Sequence, residues 1–331
     1  KKIIHVGQMK SGTTYIQNSL SQNRALLSEA GFLYPGKLFN QQHACYGLCG
    51  QDIPWVFPQK KWEKLALEML DEIKNSNKNI LISSEALSCM NYKGVSNFVN
   101  KLGGIDEVVL TLRNFHRVML SGWQQSIKGG GVKSLPEFID CIRVDRANDK
   151  GIWRYYRFGE TVSSWSSYAK VTVVVVDNKN EKNELLSTFS SACGIPVMPE
   201  PESNSLQENK SLKREDVELL RRFNIMNENM DQKNREAYVR WLLRKGFFPA
   251  ANLASGSRIK MPKENVEEIT MWAQEELSKI SDQVVVLGEL NNIYEVAKED
   301  IEDTPFDDRF DHLARMNHIL KLIFKSASRS S

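Results

Sequence analysis

The chain has 331 residues, of which 41% are hydrophobic and 26% are charged, and its net charge is +3. This length can bury a large core, and the small, interleaved charge excludes a basic stripe for nucleic acid. Five cysteines are too few for a disulfide framework, so we expect free thiols and a reducing, cytoplasmic location.

Apolar runs alternate with helical segments, which predicts an α/β fold with a mostly parallel β-sheet flanked by helices. The predicted strands cover residues 2–7, 79–84, 107–113, 170–177 and a short, isolated run at 284–287. The predicted helices cover residues 14–30, 60–75, 95–102, 117–126, 135–144, 158–169, 213–229, 231–245 and 263–280. No run of about eighteen apolar residues occurs, so no membrane span is expected.

A single domain is expected for residues 1–331, with an α/β core at 1–195 and a mostly helical extension at 196–331. Three prolines near residue 196 mark the change in character. Near the end, one helical stripe favours packing within the chain over a partner or membrane surface; it consists of Phe310, Leu313, Leu320 and Phe324. The first strand begins almost at Lys1, without an initiator Met, which leaves room for a signal or anchor upstream.

The sequence GQMKSGTT, residues 7–14, joins the first predicted strand to the first predicted helix. A nucleotide-binding P-loop reads G-x-x-x-x-G-K-[ST]. Here Gly7 and Gly12 keep the glycine spacing, but Thr13 replaces the lysine, and Lys10 lies inside the loop. Cationic and hydroxyl side chains crowd this turn, which favours anion binding over a plain strand-to-helix connection.

A second motif follows the third predicted strand, where Arg113 and Ser121 are eight residues apart. Arginine supplies a planar donor fork for phosphate, and a hydroxyl on the next helix adds a neutral donor. Together the two motifs predict two phosphate sites at neighbouring strand ends. A nucleotide with phosphates on both its 5′ and 3′ positions fits that layout.

These motifs resemble those of sulfotransferases that use 3′-phosphoadenosine 5′-phosphosulfate (PAPS), and the opening loop is similar to those of bacterial glycan-modifying members. The family's 5′ loop, K-[ST]-G-T-[ST], is matched by Lys10, Ser11, Gly12, Thr13 and Thr14. Its 3′ segment, R-[ND]-P-x-x-R-x-x-S-x-Y, is matched by Arg113, Asn114 and Ser121. The chain departs from that segment at Phe115, Arg117 and Trp123, so Arg117 is not assigned as a ligand.

A third stretch, GSRIKMP at residues 256–262, resembles the basic loop that closes over the 3′-phosphate in these enzymes. It adds Arg258 to the candidate donor site. An ordinary surface loop explains this stretch equally well.

The resemblance implies transfer of a sulfuryl group from PAPS to an acceptor hydroxyl by in-line displacement, without a metal. Lys10 is expected at the bridging oxygen, and the N–H groups of residues 11–14 at the 5′-phosphate. Glu85, which closes the second predicted strand, matches the position of the family's general base. A capping or ion-pair role for Glu85 is an equal alternative. His43 is the second candidate base and His116 the third.

The acceptor is expected to be a hydroxyl of a carbohydrate or glycoconjugate. Residues 41–62 have a loop-like, Gly- and Pro-bearing sequence with side chains suited to stacking on a sugar or aromatic acceptor: His43, Tyr46, Trp55, Phe57 and Trp62. A satellite cluster that anchors the loop is an alternative use. For the whole chain, the alternatives are a kinase or nucleotide hydrolase with a degenerate P-loop, and a non-catalytic interaction protein.

Overall fold

The structure is a computed structural model that describes residues 1–53, 56–57, 59–176, 182–202, 211–244, 256–302 and 312–327. The chain forms two compact units. The first contains Lys1–Val118, Asn148–Leu206 and Ile269–Glu295, and the second contains Met119–Ala147, Gln207–Glu268 and Val296–Ser331. The arrangement of core and extension expected from the sequence stays a prediction.

Eight strands occur in the described residues: β1 (Lys2–Gly7), β2 (Phe32–Leu33), β3 (Asn79–Ser83), β4 (Glu107–Arg113), β5 (Lys170–Val176), β6 (Met261–Pro262), β7 (Val285–Leu287) and β8 (Ile301–Glu302). The first unit holds a sheet with the order β2-β3-β1-β4-β5-β7, and all its pairs are parallel. The predicted α/β fold with a parallel sheet is confirmed. Asp177, predicted to end the fourth strand, lies outside the described residues. In the second unit, β6 pairs with β8.

Strand β1 lies inside the sheet, with β3 on one side and β4 on the other. Its apolar residues Ile3, Ile4 and Val6 are buried on both faces, as expected for a parallel strand covered by helices. Strands β2 and β3 lie on one side of β1, whereas β4, β5 and β7 lie on the other side. The strand order therefore reverses at β1. In open α/β sheets, ligands bind at such a switch point, outside the carboxyl ends of the strands.

The α-helices of the described residues are α1 (Thr13–Gln22), α2 (Arg24–Glu29), α3 (Gln42–Cys49), α4 (Lys60–Lys74), α5 (Tyr92–Leu102), α6 (Phe115–Lys128), α7 (Leu135–Ala147), α8 (Phe158–Ser166), α9 (Lys182–Cys193), α10 (Arg214–Met226), α11 (Gln232–Arg244), α12 (Lys263–Ser278) and α13 (His312–Ala327). None of them is long and apolar enough to cross a membrane. All five cysteines are free thiols.

The single helix predicted for residues 14–30 is wrong, because the chain forms α1 and α2 with a break at Asn23. The Asn23 side-chain amide and its backbone N–H both donate to the carbonyl of Ser19. An asparagine side chain that bonds the local backbone competes with helix propagation. The break follows from this competition.

The loop predicted for residues 41–62 is also wrong over its first half, where α3 forms. One of the two glycines in this stretch, Gly47, lies inside this helix. A Cβ added there would lie 2.1 Å from the carbonyl oxygen of Trp62 on α4. Gly47 therefore serves the close packing of two helices instead of a turn.

The second unit contains a buried ion pair between α10 and α13. Arg315 donates through Nε and Nη2 to the two carboxylate oxygens of Asp216, each at 2.8 Å. Burial raises the pKa of Asp216, and the hydrogen bonds from Arg315 oppose that rise.

In the predicted C-terminal stripe, Leu320 is half exposed, Phe310 lies outside the described residues, and only the backbone is described at Leu313 and Phe324.

Candidate functional site

The loop between β1 and α1 has a tightly specified backbone. The Gln8 N–H donates to the carbonyl of Thr111 on β4 at 3.0 Å, which extends the sheet by one residue. Ser11 closes a turn, since its N–H and its hydroxyl both donate to the carbonyl of Gln8. Lys10 and Gly12 have φ values of 68° and 87°. A positive φ at a lysine is uncommon and persists only where the surroundings fix the backbone.

Gly7 allows the loop to lie directly against the start of α1. A Cβ at this position would lie 1.9 Å from Cγ2 of Thr13, and 3.0 Å from Oγ1 of Thr111. The first glycine of the loop is therefore required by close packing, whereas the second, Gly12, adopts the left-handed conformation.

The first turn of α1 presents backbone donors. Within the described residues, the N–H groups of Gly12, Thr13 and Thr14 donate to no acceptor. The N-cap, Gly12, offers no side-chain oxygen to satisfy them. Free N–H groups at a helix N-terminus, together with the positive end of the helix dipole, bind anions.

Lys10, Thr13 and Glu85 lie together at this helix start. Glu85 opens a 3₁₀ turn, Glu85–Cys89, which is separated from the end of β3 by Ser84 alone. Its Oε2 accepts a hydrogen bond of 2.7 Å from the Thr13 hydroxyl. Burial lowers the pKa of Lys10, and the Glu85 carboxylate opposes that shift. The cation and the carboxylate therefore influence each other electrostatically.

Arg113, the last residue of β4, reaches the same loop. Its Nη1 donates to the carbonyl of Lys10 at 3.4 Å. Burial and the neighbouring Arg117 guanidinium both lower the pKa of Arg113. Arg113 and Arg117 therefore repel each other, and an anion bound there would offset that repulsion.

A buried network of polar side chains connects the loop between β1 and α1 to strands β1, β3 and β4. The imidazole of His5 hydrogen-bonds to Ser83 Oγ at 2.8 Å and to Thr111 Oγ1 at 3.2 Å. Thr111 Oγ1 in turn contacts Ser11 Oγ at 2.7 Å. Burial lowers the pKa of His5 to about 3, so the ring is neutral. The sequence analysis assigned no role to His5, Ser83 or Thr111, although each is a polar residue within an apolar strand.

The other two candidate bases have different surroundings. His43 is exposed on α3, and its ring contacts Tyr46 and stacks on Trp62 at a centroid distance of 5.7 Å. His116 is buried and contacts Thr270 Oγ1 at 3.1 Å, and burial lowers its pKa to about 4. Neither contact involves the loop.

The remaining candidates are distributed as follows. Asn114 has a structural role, because its amide donates to the carbonyls of Asn292 and Glu295. Ser121, on α6, and Arg258 belong to the second unit, so the site described above is built from the first unit alone. Of the predicted stacking residues, Tyr46 is buried, Trp62 is half-buried and Phe57 is 77% exposed, whereas Trp55 lies outside the described residues.

No protein-family model matches this chain, and no curated protein sequence is significantly similar to it. Among solved structures, a crystal structure of a sulfotransferase from Alicyclobacillus acidocaldarius is similar, with 13% identity and a TM-score of 0.43. The similarity covers 72% of this chain and 95% of that chain. Identity and TM-score at this level do not by themselves establish a shared fold or activity.

Proposed function

We propose that this chain is a sulfotransferase that moves the sulfuryl group of PAPS to an acceptor hydroxyl. The observation that carries the proposal is the position of Lys10. It lies inside the loop, within electrostatic reach of Glu85, and its carbonyl accepts a hydrogen bond from Arg113. A cation in the loop suits a leaving group that is a phosphate monoester, whereas the lysine of a P-loop follows the second glycine to reach a polyphosphate.

The described residues fit the phosphates of such a donor. The free N–H groups of residues 12–14 suit the 5′-phosphate. Arg113, at the end of the adjacent strand, suits the 3′-phosphate because its guanidinium can donate two parallel hydrogen bonds. The resemblance adds Ser11 to the 5′ side and Ser121 and Arg258 to the 3′ side, and these assignments stay predictions.

Each side chain has a chemical role in this proposal. PAPS supplies an activated sulfuryl group on a good leaving group. Lys10 stabilises negative charge on the departing 5′-phosphate oxygen. Glu85 takes the proton of the acceptor hydroxyl as the new O–S bond forms. The Thr13 hydroxyl holds one carboxylate oxygen of Glu85 and leaves the other for the acceptor.

The acceptor is proposed to be a carbohydrate-type hydroxyl. The stacked rings of His43 and Trp62 offer an aromatic face of the kind that binds sugars. Tyr46 packs against both rings. Tyr155 lies within electrostatic reach of Tyr46 and of Cys89, the last residue of the turn that begins at Glu85. These contacts connect the aromatic face to the Glu85 turn. In this role His43 contacts the acceptor, and Glu85 is the preferred base.

Isothermal titration calorimetry with adenosine 3′,5′-bisphosphate, with and without EDTA, tests the proposal. We expect tight binding that EDTA does not change. Arg113→Ala should weaken binding about 10- to 100-fold, as for loss of a charged hydrogen bond, and Ser121→Ala should weaken it less. Arg143→Ala is the matched control, because Arg143 pairs with Glu268 at an exposed site.

Failure of the intact chain to bind the bisphosphate would overturn the proposal. Tight binding of ATP that requires Mg²⁺ would favour a kinase or hydrolase instead.

A further inference from the structure

A second 3₁₀ turn, Gly151–Tyr155, has a firmly held centre. Trp153 is buried and makes edge-to-face contacts with Phe115 and Trp272, at centroid distances of 6.3 and 5.9 Å. Its neighbours Arg154 and Tyr155 are half-buried. The turn therefore presents a cationic and a phenolic side chain from an anchored backbone.

The two arginines that follow Trp153 differ in their partners. Arg157 is 5% exposed, and its Nη1 donates to Asp149 and Glu160. Nε is buried without an acceptor in both arginines, so they differ in the ion pairs of their terminal nitrogens. Among the residues that the structure describes, no carboxylate lies within salt-bridge distance of Arg154. A half-buried guanidinium without an acceptor costs free energy, which an external anion would offset.

Arg154 lies on the Glu85 side of the site. The turn Gly151–Tyr155 packs against the turn Glu85–Cys89. Burial, with a contribution from the Glu85 carboxylate, raises the pKa of the Cys89 thiol to about 12, and the Ser88 hydrogen bond, Arg157 and Arg154 oppose the rise. Glu85 and Arg154 therefore both act on one buried thiol.

The turn that carries Glu85 is also fixed in place. The Thr161 hydroxyl of α8 donates to the carbonyl of Ser88 at 2.9 Å. The Ser88 hydroxyl donates to the carbonyl of Glu85 at 2.7 Å. An anion held by Arg154 would therefore keep a defined position relative to the proposed base.

We propose that Arg154 binds an anionic group, a carboxylate or a sulfate ester, on the acceptor, so that the acceptor is an acidic, hydroxyl-bearing molecule. The statement that the bound molecule is the acceptor rests on the proposed function. The anion site itself rests on the contrast between Arg154 and Arg157 and on the packing of the two turns. In the reaction Arg154 touches the substrate but transfers no proton.

The test uses glycosides with one aglycone, 4-nitrophenyl β-D-glucuronide, 4-nitrophenyl β-D-glucoside and the glucoside 6-sulfate. Binding to the intact chain is measured by ligand-observed NMR without nucleotide. We expect at least one acidic glycoside to bind about tenfold or more tightly than the neutral glucoside. Arg154→Gln should abolish that preference and leave glucoside binding unchanged. The glucuronide and the sulfate ester distinguish the two anions.

Lys150→Gln is the matched control, since it removes an exposed cation next to the same turn. Arg154→Lys keeps the charge without the planar fork and should retain part of the preference. Equal binding of acidic and neutral glycosides, or equal effects of Arg154→Gln and Lys150→Gln, would overturn the inference. Because the titration needs no nucleotide, an Arg154-dependent preference without bisphosphate binding would refute the sulfotransferase proposal but not the anion site.

Discussion

The Thr13 hydroxyl donates a hydrogen bond of 2.7 Å to Oε2 of Glu85. This bond links the first residue of α1 to the second residue after the end of β3. The loop that would hold the donor phosphate and the carboxylate that would activate the acceptor are therefore positioned by one contact. A change at either residue should affect transfer more than nucleotide binding.

Glu85→Gln should lower kcat for sulfuryl transfer by about 10²- to 10⁴-fold, the usual contribution of a general base. Glutamine keeps an oxygen that can accept the Thr13 hydrogen bond, so affinity for adenosine 3′,5′-bisphosphate should not change. Steady-state kinetics and calorimetry on the same preparation separate the two effects. A fully active Glu85→Gln variant would exclude Glu85 as the base and leave His43 as the next candidate.

Gly7→Ala should destabilise the chain by about 1–3 kcal/mol, the usual cost of overpacking. The added methyl would lie 1.9 Å from Cγ2 of Thr13. Thr13→Ser removes that carbon and keeps the hydroxyl, so the double variant should recover part of the lost stability and of the lost bisphosphate affinity. Thermal unfolding of the four proteins measures the coupling. Additive effects of the two substitutions would contradict this explanation.

The positions of β1, β3, β4, β5 and β7 were predictable because each is a short, dense apolar run, whereas the two-residue strands β2, β6 and β8 were not predicted. The six consecutive residues from Val171 in β5 have strong β-propensity, and the observed strand ends at Val176. Helix α3 was not predictable, because a glycine inside a helix and a glycine in a turn look the same in one sequence. Only the contact of Gly47 with Trp62 distinguishes them.

For the candidate site, local spacing placed Lys10 in a loop and Glu85 and Arg113 at strand ends. Their contacts could not be predicted, because they depend on which strands are neighbours. The network of His5, Ser83 and Thr111 has the same origin, since it joins residues at least 28 positions apart across β1, β3 and β4. Register, which is a non-local property, pairs His5 with Ser83 and places Thr111 opposite Gly7, two residues further along β1.

Gln8→Met should raise the melting temperature of the chain. Gln8 is 2% exposed, and neither its amide nitrogen nor its amide oxygen has a hydrogen-bond partner within the described residues. A buried unsatisfied polar group costs about 1–3 kcal/mol, and methionine has a similar shape. Differential scanning calorimetry measures the shift.

The control for Gln8 is Gln17→Met. Gln17 is also buried, but its amide donates to Ser83 Oγ at 3.2 Å, so the same substitution should lower the melting temperature. Equal shifts in the two variants would show that the Gln8 amide is satisfied in solution. A further loss of bisphosphate affinity in Gln8→Met would indicate that the amide finds its partner when the ligand binds.

Stability should fall between pH 6.5 and pH 3 because of His5. Burial lowers the pKa of His5 from its ordinary value of 6.5 to about 3. In that window the unfolded chain binds a proton that the folded chain does not. The free energy of unfolding therefore decreases as pH falls, by up to about 1.4 kcal/mol per pH unit from this residue.

His5→Asn isolates that contribution from those of the carboxylates, which are shared by both proteins. At pH 7 the variant should be less stable than the wild type, because it loses contacts of the imidazole with Ser83 and Thr111. At pH 5 the deficit should be smaller, since only the wild type contains an imidazole that must stay neutral when folded. Urea unfolding at both pH values measures the two deficits. An equal deficit at pH 5 and pH 7 would mean that His5 titrates alike in the folded and unfolded chains, and that the network beneath the loop tolerates a charged ring.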